Sequence, residues 1–336
     1  LRRGAGRAAA SIRLPAHRQT GSVPPTRPEP GERPLDADLQ AQVRAWMAAD
    51  PDPSTRAELA ELLARSAAEE LADRFSGRLR FGTSGLRAPM GAGPTRMNRR
   101  VVRQLAAGLG RWLGEGATVV VGRDARHRSQ AFSEDTAGVL AAVGCRALVL
   151  PEPLPTPVLA FAVRHLGADA GVMITASHNP PGDNGCKVYL ADGAQPVPPV
   201  DAELVAAMEG ADEVLPAAPD DARIVHLDGA VVDAYLRHAL GVVSPDGPRD
   251  LAIAYTPLHG VAGALTLRLL AAAGFPAPTV VDRQMQPDPD FPTLAYPNPE
   301  EPGALDLVVA AATDAGSDLA LAHDPDGDRL GVAARR

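Results

Sequence analysis

The chain has 336 residues and a formal net charge of −8, with 22% charged and 45% apolar residues, the balance of a globular protein that folds in water. That length can bury at least two ordinary cores. The negative charge argues against nucleic acid or an anionic membrane as the main partner, although local arginine clusters leave an anionic substrate open. No apolar run approaches membrane-spanning length. Cys145 and Cys186 are the two cysteines, too few for a disulfide framework and without metal-ligand spacing. These features set the expectation of a cytoplasmic protein, and of a monomer.

In chain order, residues 1–34 are rich in Arg, Pro, Gly and Ala without hydrophobic periodicity, and read as a disordered extension. Residues 35–76 read as a helical arm. It has one helix over Asp36–Ala49 and a second over Ser54–Phe75, with Ser54 as N-cap after Pro51-Asp52-Pro53. A first domain is expected over 77–243. It opens on a glycine-rich stretch, Leu79-Arg-Phe-Gly-Thr-Ser-Gly-Leu-Arg87, continued by Met90-Gly-Ala-Gly-Pro-Thr-Arg-Met-Asn98. Alone such a stretch is more often a tight turn, but its glycines let backbone approach a ligand, and Arg87 can present a planar fork to phosphate.

Helices then alternate with apolar strands: helix 98–113, strand 117–122, helix 129–143, strand 146–150, helix 156–166, strand 170–175. That order predicts α/β architecture, with mixed, mostly parallel sheets and helices on both faces. Arg123 and Asp124 end a strand, and serve either to fix the loop or to contact substrate. Helices over 200–209 and 230–240 close the domain. The Gly/Ser/Pro-rich stretch 242–250 is a boundary, and a second domain of the same class runs over 244–336. It offers strand 251–255, helix 263–273, strand 278–281, a proline-rich binding or packing loop at 287–302, helix 303–316 and strand 319–323. His259 lies in a loop with no partner nearby in sequence and reads as structural.

Two loops carry the chemistry. The first follows strand 170–175: Thr175-Ala-Ser-His-Asn-Pro-Pro-Gly-Asp-Asn-Gly-Cys-Lys187. Asn179-Pro180, Pro181-Gly182 and Asn184-Gly185 are turn formers, so Ser177 and His178 stand at the mouth of a strand, where open α/β sheets place their chemistry. Lys187 is the single lysine among 33 basic residues. An ammonium whose pKa can fall on burial exchanges protons, which a guanidinium does not. The second loop is His323-Asp-Pro-Asp-Gly-Asp-Arg329. Asp324, Asp326 and Asp328 crowd three carboxylates at a strand end, an arrangement that calls for a hard divalent cation. An EF-hand is excluded because its glycine and glutamate positions are Arg329 and Arg335. A haloacid-dehalogenase-type phosphatase would carry Thr or Val where Asp328 stands. A Mg²⁺ site followed by a phosphate-facing arginine is what remains.

The serine loop, the aspartate loop and the Phe81-Gly-Thr-Ser-Gly-Leu-Arg87 segment together resemble the α-D-phosphohexomutases, the phosphoglucomutase and phosphomannomutase superfamily. The continuation Met90 to Asn98 looks most like its phosphoglucomutase-2 and phosphopentomutase branch. The resemblance spans about 36–336. It implies the first two of four α/β/α domains: one with the serine loop and one with the metal loop.

It further implies a phosphosugar mutase that moves phosphate between C1 and C6 (or C5) through a phosphoserine and a sugar 1,6-bisphosphate, on Mg²⁺ held by the three aspartates and Ser177. Ser177 would be the phosphoryl carrier and Lys187 the general base, with His178 orienting or sharing the proton and Arg87 and Arg329 on phosphate. Thr175, Asn179 and Arg123 would line the phosphate site. The family's Gly-Glu-x-Ser-Gly and Arg-x-Ser-Gly-Thr loops do not follow Arg329. The expectation is therefore a truncated mutase with at most trace activity alone. Its rivals are a non-catalytic sugar-phosphate-binding protein and a Mg²⁺-dependent phosphohydrolase.

Overall fold

Asp36 and Asp52 each turn a side-chain oxygen onto a backbone N–H two residues on and so start the first two helices, α1 (Ala37–Ala49) and α2 (Pro53–Ala64). The computed structural model describes residues 35–79, 85–209, 211, 214–244 and 246–335. The 1–34 extension and residues Gly82, Thr83 and Ser84 of the glycine-rich stretch lie outside the described residues. The single helix expected over 54–75 is in fact two, α2 and α3 (Ala68–Arg74), broken where Ser66 takes a positive φ of 53°. Its N-cap is Asp52 rather than Ser54, because Pro53 fills the first helical position, where a missing N–H costs nothing.

The first sheet is built from β1 (Leu86–Pro89), β2 (Thr118–Arg123), β3 (Arg146–Val149), β4 (Ala170–Ile174), β5 (Asp183–Leu190) and β6 (Ile224–His226). Their order is β1-β5-β4-β2-β3-β6. β6–β3–β2–β4 run parallel, while β5 is antiparallel to both β4 and β1. Val119–Val121 and all of β4 are buried, as expected of strands covered on both faces.

On one face pack α4 (Arg99–Leu113), α5 (Ser129–Ala142) and α7 (Val200–Glu209), with α1–α3 behind them. On the other lie α6 (Thr156–His165) and α8 (Ala230–Leu240). Asn98 caps α4 by accepting from the Val101 N–H at 3.0 Å.

Two parts of the sequence reading change here. Leu86–Pro89, read as glycine-rich loop, is an edge strand. Asn184-Gly185, read as a turn, lies inside β5. Gly185 is there because the chains pass too closely for a side chain: a Cβ would sit 2.2 Å from the Leu86 carbonyl oxygen. The pairing puts Arg87 opposite Gly185 and Lys187 opposite Met173, which brings Arg87, Lys187 and the end of β4 to one edge of the site.

The second sheet has β7 (Ile253–Thr256), β8 (Thr279–Val280), β9 (Leu319–His323) and β10 (Leu330–Ala334) in the order β10-β9-β7-β8. β8, β7 and β9 are parallel and β10 is antiparallel. α11 (Asp306–Ala315) covers one face, its Val308 packing with Ala254, Ala320 and Ala322. α9 (Gly263–Ala272) follows β7, and its Leu265 joins the core beneath α6 and α8. The short α10 (Asp282–Met285) follows β8. The proline-rich loop packs inward through Phe291, which is 2% exposed. The chain is thus α/β with mixed, mostly parallel sheets.

Candidate active site

The β4 strand ends at Ile174, and the next residues turn so sharply that Ser177 takes a φ of 51°, a left-handed value that a side chain disfavours. Local bonds hold this conformation. The Ser177 N–H donates to Thr175 Oγ1 at 2.8 Å, and Thr175 is fully buried. The result aims the Ser177 hydroxyl across to the second sheet, where it donates to Asp324 Oδ2 at 2.6 Å. His178 Nδ1 lies 3.1 Å from Ser177 Oγ. Strain of this kind, held in place by its surroundings, is characteristic of reactive loops.

The three aspartates leave the end of β9 together, and one oxygen from each lies within 4.8 Å of the others. Asp324 Oδ1 accepts from the Asp328 and Arg329 N–H groups at 3.1 Å each. Asp326 Oδ2 accepts from Lys187 Nζ at 2.7 Å and from the Thr156 hydroxyl at 2.6 Å. Asp328 pairs with the same Lys187 ammonium.

Burial, followed by repulsion from Asp326 and Asp328, pushes the Asp324 carboxyl up to about 8. Burial also works against ionising Asp326, but Lys187, with hydrogen bonds from Lys187 and Thr156, outweighs it and holds that carboxyl below its usual range. Burial likewise opposes the Lys187 charge, yet Asp326 and Asp328 raise its pKa above the ordinary lysine value. The fall on burial that the sequence suggested does not occur in this arrangement.

For the divalent cation that the resemblance implies, the donor set fits. Three buried or half-buried carboxylates repel one another, and Asp326 Oδ1 is buried without a hydrogen-bond partner. Asp324, Asp326 and Asp328, with the oxygen on Ser177, are the groups that would hold it.

Basic groups line the same cleft. Arg87 Nη1 donates to Asn179 Oδ1 at 3.2 Å, and Asn179 in turn donates to Asp183 at 2.8 Å. Arg329 Nε lies 3.5 Å from Asp324, and its Nη2 is buried without a hydrogen-bond partner. Burial and the nearby Arg87 charge lower the Arg329 pKa. Arg123 stands apart: its guanidinium reaches the Asp124 carbonyl at 3.4 Å, and its charged neighbours are Asp124 and Glu134.

The residue that the sequence reading passed over is Arg126. Its side chain is 1% exposed. Its Nη2 donates to the carbonyls of Ser177 at 2.7 Å and Asn179 at 2.5 Å, and its Nη1 to those of Pro180 at 2.8 Å and Asp183 at 3.1 Å. The guanidinium pairs with Asp124 at 3.6 Å and lies 4.9 Å from the Phe291 ring centroid. It thus ties the serine loop to the second domain. Its signal in sequence was the stretch Gly122-Arg-Asp-Ala-Arg126, similar to a Gly-x-Asp-x-Arg stretch of the phosphohexomutases, although no site role was expected of the arginine that ends it. His259 is buried, with Nε2 hydrogen-bonded to the Thr293 hydroxyl at 2.8 Å, and so belongs to the support beneath the loops.

Comparison with known proteins gives this geometry a family. The model for "Phosphoglucomutase/phosphomannomutase, alpha/beta/alpha domain I" matches residues 78–215, and that for domain II matches 233–336. A phosphoribomutase of Saccharomyces cerevisiae is 36% identical over 331 residues, covering 90% of this chain and 53% of that protein. A phosphopentomutase of Mus musculus is 35% identical over 328 residues, covering 90% and 52%. A solved phosphoglucomutase/phosphomannomutase family protein from Burkholderia thailandensis superposes with a TM-score of 0.63 at 27% identity, covering 76% of this chain and 54% of that one. The chain therefore spans about half the length of the relatives it matches. With domains I and II matched in order, and with relatives this similar along most of its length, the chain belongs to the phosphoglucomutase/phosphomannomutase family, near its phosphoribomutase and phosphopentomutase members.

Proposed function

We propose that this chain serves in moving a phosphoryl group within a sugar phosphate, carrying it on Ser177, with a sugar bisphosphate as intermediate and activator. The observation that carries the reading is the 2.6 Å hydrogen bond from a conformationally constrained serine to the first of three clustered aspartates 147 residues away. A serine in a solvated turn needs no such partner. The similarity to proteins named phosphoribomutase and phosphopentomutase points to sugar phosphates, pentose phosphates among them, as the substrate class.

In the forward half-reaction a sugar hydroxyl attacks the phosphorus on Ser177 Oγ. A new P–O bond forms to the sugar and the bond to Oγ breaks with its electron pair left on the serine oxygen. The hydroxyl's proton passes to a basic group of the site, His178 or a freed Lys187, and one returns to Oγ. Transfer of this kind is mostly positioning and charge neutralisation. Arg87 and Arg329 face the space where the phosphoryl oxygens would lie. A divalent cation on the three aspartates, when bound, adds positive charge against those oxygens.

Lys187 stands protonated between Asp326 and Asp328, so as placed it supplies charge and can return a proton. To act as base toward the sugar hydroxyl it must first be freed from those carboxylates. His178, at 3.1 Å, is placed to exchange a proton with the serine oxygen.

The test is intact-mass and peptide mapping after incubation with a hexose or pentose bisphosphate and Mg²⁺. One phosphate on Ser177, absent from Ser177→Ala, supports the reading. Unmodified Ser177 with release of inorganic phosphate would instead support a phosphohydrolase. Bisphosphate binding with neither outcome would make the chain a binding protein.

A further inference from the structure

The metal loop is not held by its own domain alone. Its tip, Asp326-Gly327, rests on the turn that opens α6 in the first domain, and Thr156 contacts it at two points. The Thr156 hydroxyl donates to Asp326 Oδ2 at 2.6 Å, and the Thr156 N–H donates to the Asp326 carbonyl at 2.8 Å. That N–H belongs to the first residue of a helix and has no partner within the helix, so the loop supplies one. Thr156 is 1% exposed and Asp326 fully buried, so both bonds are shielded from water. Gly327, at a φ of 68°, lets the chains close up: a Cβ there would meet Pro155 Cβ at 3.1 Å and Ala262 Cβ at 3.0 Å.

The consequence lies in which carboxylate oxygen is left over. Thr156 and Lys187 both donate to Oδ2, while Oδ1 is buried without a hydrogen-bond partner. A carboxylate with one oxygen doubly engaged and the other unpaired can rotate only by leaving a buried donor unsatisfied. Lys187 alone does not impose this, because its ammonium is shared with Asp328 and sits on a long stem. The short, β-branched Thr156 side chain does impose it.

We propose that Thr156 is a positioning residue for the divalent cation. It locks Asp326 with Oδ1 presented to the ion, and it makes cation binding depend on the docking of the first domain against the second. This rests on the proposed cation at Asp324, Asp326 and Asp328, and goes beyond it by assigning a determinant of affinity to a residue that does not touch the ion.

The experiment is calorimetric titration of the full chain with Mg²⁺ alone, on the parent, Thr156→Val and Thr156→Ser, alongside their melting temperatures in chelator. Val keeps the shape and the N–H bond but removes the hydroxyl, whereas Ser restores it. Loss of a partner that orients a metal ligand typically weakens affinity about 10–100-fold. We expect Thr156→Val to fall in that range and Thr156→Ser to stay within about threefold of the parent.

Should the Val variant fail to fold, Thr156→Ala compared with Thr156→Ser carries the same contrast. A folded Val or Ala variant with parental Mg²⁺ affinity, or a Ser variant as weak as Val, overturns the assignment and leaves Thr156 a packing residue whose loss moves only the melting temperature. Absence of Mg²⁺ binding by the parent overturns the cation reading itself, and this one with it.

Discussion

Replacing Arg126 by methionine tests whether the serine loop is held from beneath. Methionine fills similar volume but removes a buried cation that pairs with Asp124 at 3.6 Å and donates to four loop carbonyls between 2.5 and 3.1 Å. Breaking a buried ion pair by deleting one partner costs about 3–5 kcal/mol, because the other charge stays behind. Asp124 is already pushed up by burial and keeps its bonds from Ser129 and the Arg126 N–H, so it can take up a proton, which places the cost toward the lower end. The carbonyls lose their donors as well, but a loop that opens to water recovers part of that. The net loss is about 3 kcal/mol, or a fall in melting temperature on the order of 10 °C for a unit of this size.

Arg126→Lys separates the two contributions. It keeps a charge beside Asp124, but one ammonium cannot span four carbonyls. We expect it to recover most of the melting temperature while amide exchange over 177–183 remains faster than in the parent. Thermal melts followed by near-ultraviolet circular dichroism, together with hydrogen-exchange mass spectrometry, read both. An Arg126→Met chain melting within about 2 °C of the parent, with unchanged exchange over the serine loop, would refute the reasoning.

Two other expectations follow from the same geometry. Lys187→Arg keeps a cation between Asp326 and Asp328 but removes proton exchange, so phosphorylation of Ser177 by a sugar bisphosphate should slow about 100-fold or more while bisphosphate binding persists. A near-parental rate would reduce Lys187 to an electrostatic role. Burial, opposed by Asp288, holds His259 below its ordinary value of 6.5. The stability it contributes is therefore present above about pH 6.5 and is lost as pH falls toward the folded-state value, since the unfolded chain takes up the proton first. The melting temperature of His259→Gln should depend less on pH between about 7.5 and 5 than that of the parent, and an identical slope would count against the assignment.

Much of this protein is legible in local pattern. The buried strands at 118–123 and 170–174 and the helices after them follow from hydrophobic runs, caps and turn residues, which act over a few positions. The serine and aspartate loops were legible for the same reason, because each concentrates its chemistry within about a dozen residues at the end of a strand. What local pattern could not carry is pairing across the chain. Asn184-Gly185 has the composition of a turn, yet it lies in a strand because β1, nearly a hundred residues earlier, runs against it with no room for a side chain. Lys187 has the composition of a group whose charge burial would suppress, yet two aspartates from the next domain keep it protonated. Arg126 stands out only as the end of a Gly-x-Asp-x-Arg stretch, and Thr156 looks ordinary in sequence. Their roles arise only when folding sets one against the serine loop some fifty residues on, and the other against Asp326, 170 residues away. Residue type and spacing determine which groups can do chemistry, whereas the directions in which a carboxylate or guanidinium points are set by donors and acceptors that only the packed domains bring within hydrogen-bond reach.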